Sequence, residues 1–123
     1  MKTYRMFRRD GMAHASVLDT GSGAEYELDP RHDLRGHSPS GFEWGYGGSG
    51  PAQLALAILA DHKGLRRAGP GLERDEATEL VLRCYQDFKR AVLEGVTDDE
   101  WHISGEQVDR VLRQIEGRSR AVR

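Results

Sequence analysis

From Ala52 to Ala60 the chain reads Ala-Gln-Leu-Ala-Leu-Ala-Ile-Leu-Ala, apolar at every position but one. Pro51 suits the first position of a helix, where its missing N–H goes unused, and Gly64 suits the residue just past the last turn. A helix that is apolar on every side is either a membrane span or is surrounded by protein. The run is far shorter than the roughly 18–20 residues a span requires, so protein has to wrap it. In a chain of 123 residues, one domain's worth of length, that commits most other elements to covering one helix. Leu54, Leu56, Ile58 and Leu59 each contribute roughly 1.5–3 kcal/mol when buried, and the interleaved alanines let neighbours approach closely.

The two halves of the chain differ in kind. Nine of the 15 glycines fall at or before Gly50, while the long helical periodicities all follow it. Thr3 to Arg8 is rich in strand formers and is stopped by Asp10-Gly11. Ala13 to Leu18 alternates weakly, and after Thr20-Gly21-Ser22-Gly23 comes Glu25 to Leu28, with Tyr26 and Leu28 on one face. This reads as an antiparallel meander ended by Asp29-Pro30. Phe42-Glu43-Trp44 is a candidate last short strand.

Beyond the buried helix, Leu65 to Arg74 is a connector broken by Gly69-Pro70-Gly71. A second helix is expected from about Asp75 to Glu94, with Ala77, Leu80, Val81, Cys84, Tyr85, Phe88 and Val92 as one apolar stripe and Gly95 as its stop. Trp101-His102-Ile103 is too short to assign alone. Ser104 and Gln107 form a capping box for a third helix whose apolar face is Val108, Val111, Leu112 and Ile115, with Gly117 at its end. The expected fold is therefore α+β: a small antiparallel sheet of three or four strands, a buried central helix and two amphipathic helices, one domain over 1–117 with a flexible basic tail over 118–123.

Charge and cysteine content narrow the function classes. Eighteen Lys and Arg against 20 Asp and Glu leave a net charge of -2, which gives no global attraction for nucleic acid or anionic lipid. Arg110, Arg113, Arg118, Arg120 and Arg123 gather near the C-terminus, but acidic residues interleave with them and cations favour a helix C-terminus anyway; nucleic acid is not the expected partner. Cys84 alone excludes an internal disulfide or a multi-cysteine metal site. Its place on the apolar stripe fits a small buried residue. The first residues are not followed by the apolar core of a secretion signal, so the expected location is the cytoplasm, without a membrane partner.

Gly45-Tyr46-Gly47-Gly48-Ser49-Gly50-Pro51 is the most unusual segment, because so many glycines carry a high ordering cost. Either they admit close packing where sheet meets helix, with Ser49 as N-cap, or they expose backbone N–H groups that grip an anion at the helix N-terminus. Gly45, Gly47 and Gly50 match the spacing of a dinucleotide fingerprint, but no second parallel strand with its acidic residue follows. No Lys-Ser or Lys-Thr pair closes a phosphate loop, and Gly47-Gly48-Ser49-Gly50-Pro51 lacks the last glycine of a nucleophile elbow.

The candidate ligand-binding set is Arg31, Arg35, His37, Tyr46, Gly47, Gly48, Ser49 and Gly50, the arginine forks flanking a phosphate held by the loop. Trp44 and Tyr46 can stack a base, though as core anchors they need no such role. His32, Asp33 and His37 lack any familiar metal-ligand spacing, so neither metal nor cofactor is expected; as an acid–base pair they would serve a small hydrolase or nuclease, with no nucleophile identified.

The run from Ser38 to Ala57, centred on Trp44-Gly45-Tyr46-Gly47-Gly48-Ser49-Gly50-Pro51, resembles the signature of the bacterial and archaeal family catalogued as domain of unknown function 6166. Tyr85-Gln86-Asp87-Phe88-Lys89 and Trp101-His102-Ile103-Ser104 resemble its weaker later blocks. The resemblance implies a small standalone protein, often carried by phages or other mobile elements, and supplies no catalytic residue. The expected function is a non-enzymatic binding module for a phosphate-bearing small molecule. The alternatives are an inhibitor or adaptor that acts on a host protein, such as an anti-defence protein, and the small hydrolase or nuclease.

Overall fold

The computed structural model describes residues 1–39, 41–67 and 75–121. Its sheet has four strands, β1 (Lys2–Arg9), β2 (Met12–Asp19), β3 (Glu25–Glu27) and β4 (Glu100–Ser104), in the order β3-β2-β1-β4 with every neighbouring pair antiparallel. The β1–β2 hairpin turns at Asp10 and Gly11, both at positive φ (53° and 77°), as a two-residue turn matching the strand twist requires. Phe42–Trp44 forms no strand. The fourth strand instead comes from the segment around Trp101-His102-Ile103, too short to carry a period in the sequence, and it lies beside β1 rather than continuing the meander.

Helix α1 (Ser49–His62) is buried without interruption from Gly50 to Ala60. Gly48, not Ser49, is its N-cap, and no side chain caps it. Helix α2 (Glu76–Phe88) starts at Asp75, whose carboxylate accepts from the Thr78 N–H at 2.8 Å. It does not run regularly to Glu94: Lys89–Leu93 is a π-helical turn. Helix α3 (Gly105–Ala121) opens on the expected capping box, with Ser104 N donating to Gln107 Oε1 (2.9 Å) and Gln107 N to Ser104 Oγ (3.2 Å). It continues past Gly117, since a single glycine costs only about 1 kcal/mol in a helix interior. The expected Gly69-Pro70-Gly71 connector and the last two residues of the basic tail lie outside the described residues.

Strand alternation places Tyr4, Met6, Ala15, Val17 and Ile103 on the inner face of the sheet, all under one-tenth exposed. They join α1, the apolar stripes of α2 (Val81, Cys84, Tyr85, Phe88) and α3 (Val108, Leu112, Ile115), and Trp44 in one core. Helices α2 and α3 pack on α1 and on each other, so α1 is enclosed by sheet and helices as its composition demands. The C-terminal end of α1 is tied to the sheet by Asp61, which accepts from Tyr4 Oη (2.7 Å), Lys2 Nζ (3.1 Å) and Tyr26 Oη (2.7 Å). Burial and the Asp61 carboxylate both push the Tyr4 phenol far above its ordinary value, keeping it a donor.

Candidate functional site

The loop before the glycine-rich segment is organised by Gln53, the one polar residue of the Ala52–Ala60 run of α1. Gln53 is fully buried and uses its whole amide: Oε1 accepts from His37 N (2.6 Å) and Ser38 N (3.1 Å), and Nε2 donates to Pro30 O (2.6 Å) and Arg35 O (3.0 Å). A buried amide with all its bonds made fixes the path of residues 30–38 around α1. The sequence signal for this role was the lone break in the apolar run, which periodicity alone passes over.

That path sends the candidate residues to different places. Arg31, 7% exposed and at φ 59°, lays its guanidinium fork on Asp33 (2.9 and 3.0 Å) and donates to the carbonyls of Leu65 (3.0 Å) and Arg66 (2.6 Å). Those carbonyls follow the C-terminal end of α1, while the glycine loop precedes its N-terminal end, about 20 Å away along a 14-residue helix. Arg31 and the glycine loop are therefore not brought together. Arg35 and His32 are exposed. His37 turns toward α2 and shares a hydrogen bond of 2.7 Å with the Tyr85 hydroxyl through Nε2. Burial, then the charges of Arg35 and Lys89, hold His37 below its ordinary value of 6.5.

At the glycine loop every position has a neighbour where a side chain would be. Gly45 takes φ 92°, donates its N–H to Leu93 O at 2.8 Å, and would put a Cβ 2.9 Å from Val96 O. A Cβ on Gly50 would lie 2.7 Å from that of Glu43, one on Gly47 3.0 Å from Glu94 Oε2, and one on Gly48 inside the Tyr46 ring. Tyr46 itself is 52% exposed. The amides of Gly47, Gly48, Ser49 and Gly50 have no acceptor among the described residues, and they stand at the positive end of the α1 dipole.

Next to these amides runs a polar seam supplied by the end of α2. Tyr85 and Lys89 are one turn apart, His37 sits on Tyr85, and Lys89 faces Glu94 across the π-helical turn with Nζ 3.7 Å from Oε2. Lys89 is only 9% exposed, and that single ion pair is its one polar contact among the described residues. π turns recur at functional positions because they re-aim side chains that a regular helix would align. A helical stripe read at period 3.6 gives no sign of such a turn.

Arg8, on β1, ties the Glu43-Trp44 segment to the sheet. Its guanidinium bonds Glu43 Oε1 (2.7 and 3.1 Å), Trp44 O (3.1 Å) and Asp99 Oδ1 (2.7 Å), and stacks 4.3 Å over the Trp44 ring. Trp44 is 2% exposed, donates Nε1–H to Asp98 O at 2.8 Å, and meets Trp101 edge to face. Among the described residues no group of three or more His, Cys, Asp or Glu side chains comes together as a metal site, and no helix is long and apolar enough to cross a membrane.

Fold and loop together define an α+β protein with its helices on one face of a four-stranded antiparallel sheet and a glycine-rich turn leading into an enclosed helix. The model of the family of unknown function DUF6166 matches residues 8–114; the chain belongs to that family. Neither a curated protein nor a solved structure matches it.

Proposed function

We propose that the protein is a non-enzymatic binding module whose ligand carries a phosphate or similar anionic group and docks on the amides of Gly47 to Gly50. One observation carries the reading: four consecutive amides without an acceptor among the described residues stand beside a nearly buried lysine, Lys89, whose one ion pair is long. Donors converging at a helix N-terminus favour an anion, and a cation so far removed from water strengthens the attraction. Glu94, against Gly47, is the resident counter-charge that a ligand would have to turn aside from Lys89. Tyr46, exposed at the rim, offers a ring to a ligand with a planar group. Arg31 is left out of this reading because its donors are committed elsewhere.

Titration of the 15N-labelled protein with inorganic phosphate and with adenosine monophosphate tests it. Amide shifts should saturate at Gly47 to Gly50, and Lys89→Gln should weaken the binding. Absence of saturable shifts at millimolar ligand, or the same affinity in a folded Lys89→Gln variant, would remove the reading.

A further inference from the structure

Strand β4 is an edge of the sheet, and two contacts fix which of its backbone groups point outward. Just beyond the ladder Arg8 N donates to Asp99 O at 2.9 Å, so Arg8 and Asp99 stand at a bonded position. Bonded positions alternate along an antiparallel pair. Met6 with Trp101 and Tyr4 with Ile103 are therefore the next bonded positions, and Glu100, His102 and Ser104 turn their N–H and C=O groups away from β1. Ser104 agrees, because its N–H goes instead to Gln107 Oε1 at 2.9 Å. The cap of α3 thus closes one end of the edge. What stays open is the N–H and C=O of Glu100 and of His102, which have no partner among the described residues.

Backbone groups open at every second residue of an edge are satisfied by one more strand, and β4 is complementary to itself. Two copies paired antiparallel about a two-fold axis at Trp101 set Glu100 against the partner's His102 and His102 against the partner's Glu100. All the open groups are then used, in four hydrogen bonds. An axis at His102 instead sets Glu100 against the partner's Ser104, whose N–H is already committed. The side chains favour the same register. Glu100 and His102 are exposed on the outer face of the sheet, so each carboxylate meets an imidazole that can donate to it. Arg5, beside His102 on β1, adds positive charge behind that imidazole, while Arg9 lies over the Phe7 ring on the β1 side of Glu100, farther from the axis. On the inner face the axis falls at Trp101, which is only half-buried in one chain.

We propose that β4 is the interface of a two-fold homodimer in which the two sheets join edge to edge, with Glu100 of each chain facing the partner's His102. The proposal does not depend on the anion-binding reading. Sedimentation equilibrium of the full chain tests it. The wild type should associate reversibly to a dimer at micromolar concentration. Glu100→Lys sets like charges against each other twice over and should weaken association about tenfold or more. Adding His102→Glu to that variant restores opposite charges in the reverse order and should recover the dimer. His102→Pro removes an N–H that β1 does not use and should give a folded monomer.

Far-UV circular dichroism checks that each variant keeps the wild-type fold. A wild-type chain that stays monomeric at hundreds of micromolar, or a folded Glu100→Lys/His102→Glu variant that fails to recover association, would overturn the proposal. So would a dimer that survives His102→Pro, since the contact would then lie elsewhere.

Discussion

Single residues decide how the loop over α1 is held, and Gln53 decides most. Gln53→Leu preserves bulk and helix propensity but strips partners from two N–H groups and two carbonyls. With each unsatisfied buried group worth roughly 1–3 kcal/mol and some regaining water, a loss of about 3 kcal/mol in urea unfolding is expected. Gly45→Ala should cost about 1–3 kcal/mol by the same measurement, because it combines a left-handed backbone with a carbonyl in the way of the new methyl. Gly48→Ala should cost less, since the obstacle is an exposed tyrosine ring that can swing out. His37 gives a pH signature. Its folded value lies below 6.5, so the unfolded chain takes up this proton first as pH falls; stability is full above 6.5 and declines through the interval down to the folded value. Unfolding free energies measured on either side of that interval should differ less in His37→Gln than in the wild type. Local sequence pattern reaches some of the residues in this region and not others. The glycines were conspicuous because each is a steric exception, whereas the assignments of Arg31 and Gln53 depend on which carbonyls lie within reach, information no local pattern contains.

At the scale of elements, legibility followed periodicity and caps. The all-apolar run named α1, Asp10-Gly11 named the first hairpin, and the Ser104–Gln107 box named the start of α3, because each is a local physical cause acting on its own residues. Strand β4 and the π-helical turn were not legible. Five residues with two inward side chains look like any loop, and the turn leaves the apolar stripe of α2 nearly intact while changing its hydrogen bonding. Phe42–Trp44 shows the opposite error: its alternation is real, but the carbonyl of Trp44 and the carboxylate of Glu43 are taken by Arg8 rather than by a neighbouring strand. The three-residue strand β3 sits at the sheet edge, with the Tyr26 hydroxyl on Asp61 as its link to a helix. Tyr26→Phe should therefore speed amide hydrogen exchange in Glu25–Glu27 and the facing residues of β2 while leaving β1 and β4 protected.

For the whole molecule the enclosed helix is the organising fact, since sheet, α2 and α3 each bury a face against it. Leu56→Ala should cost about 2–5 kcal/mol, and its far-UV circular dichroism and tryptophan fluorescence transitions should coincide, because both tryptophans and all three helices meet one core. Separate transitions would mean that sheet and helices fold apart. The overall α+β arrangement was readable from the change in pattern at Gly50, but the order of strands was not, because β4 returns from nearly a hundred residues away to lie against β1. The turn at Lys89–Leu93 has a consequence for how such a chain can vary. A helix wound five residues to the bond stores one residue more than regular winding would, so excising any one of them would rewind it and rotate everything downstream by about 100°. The carbonyl that now receives the Gly45 amide would face elsewhere, leaving the chain between Phe88 and Gly95 freer to exchange side chains than to change its length.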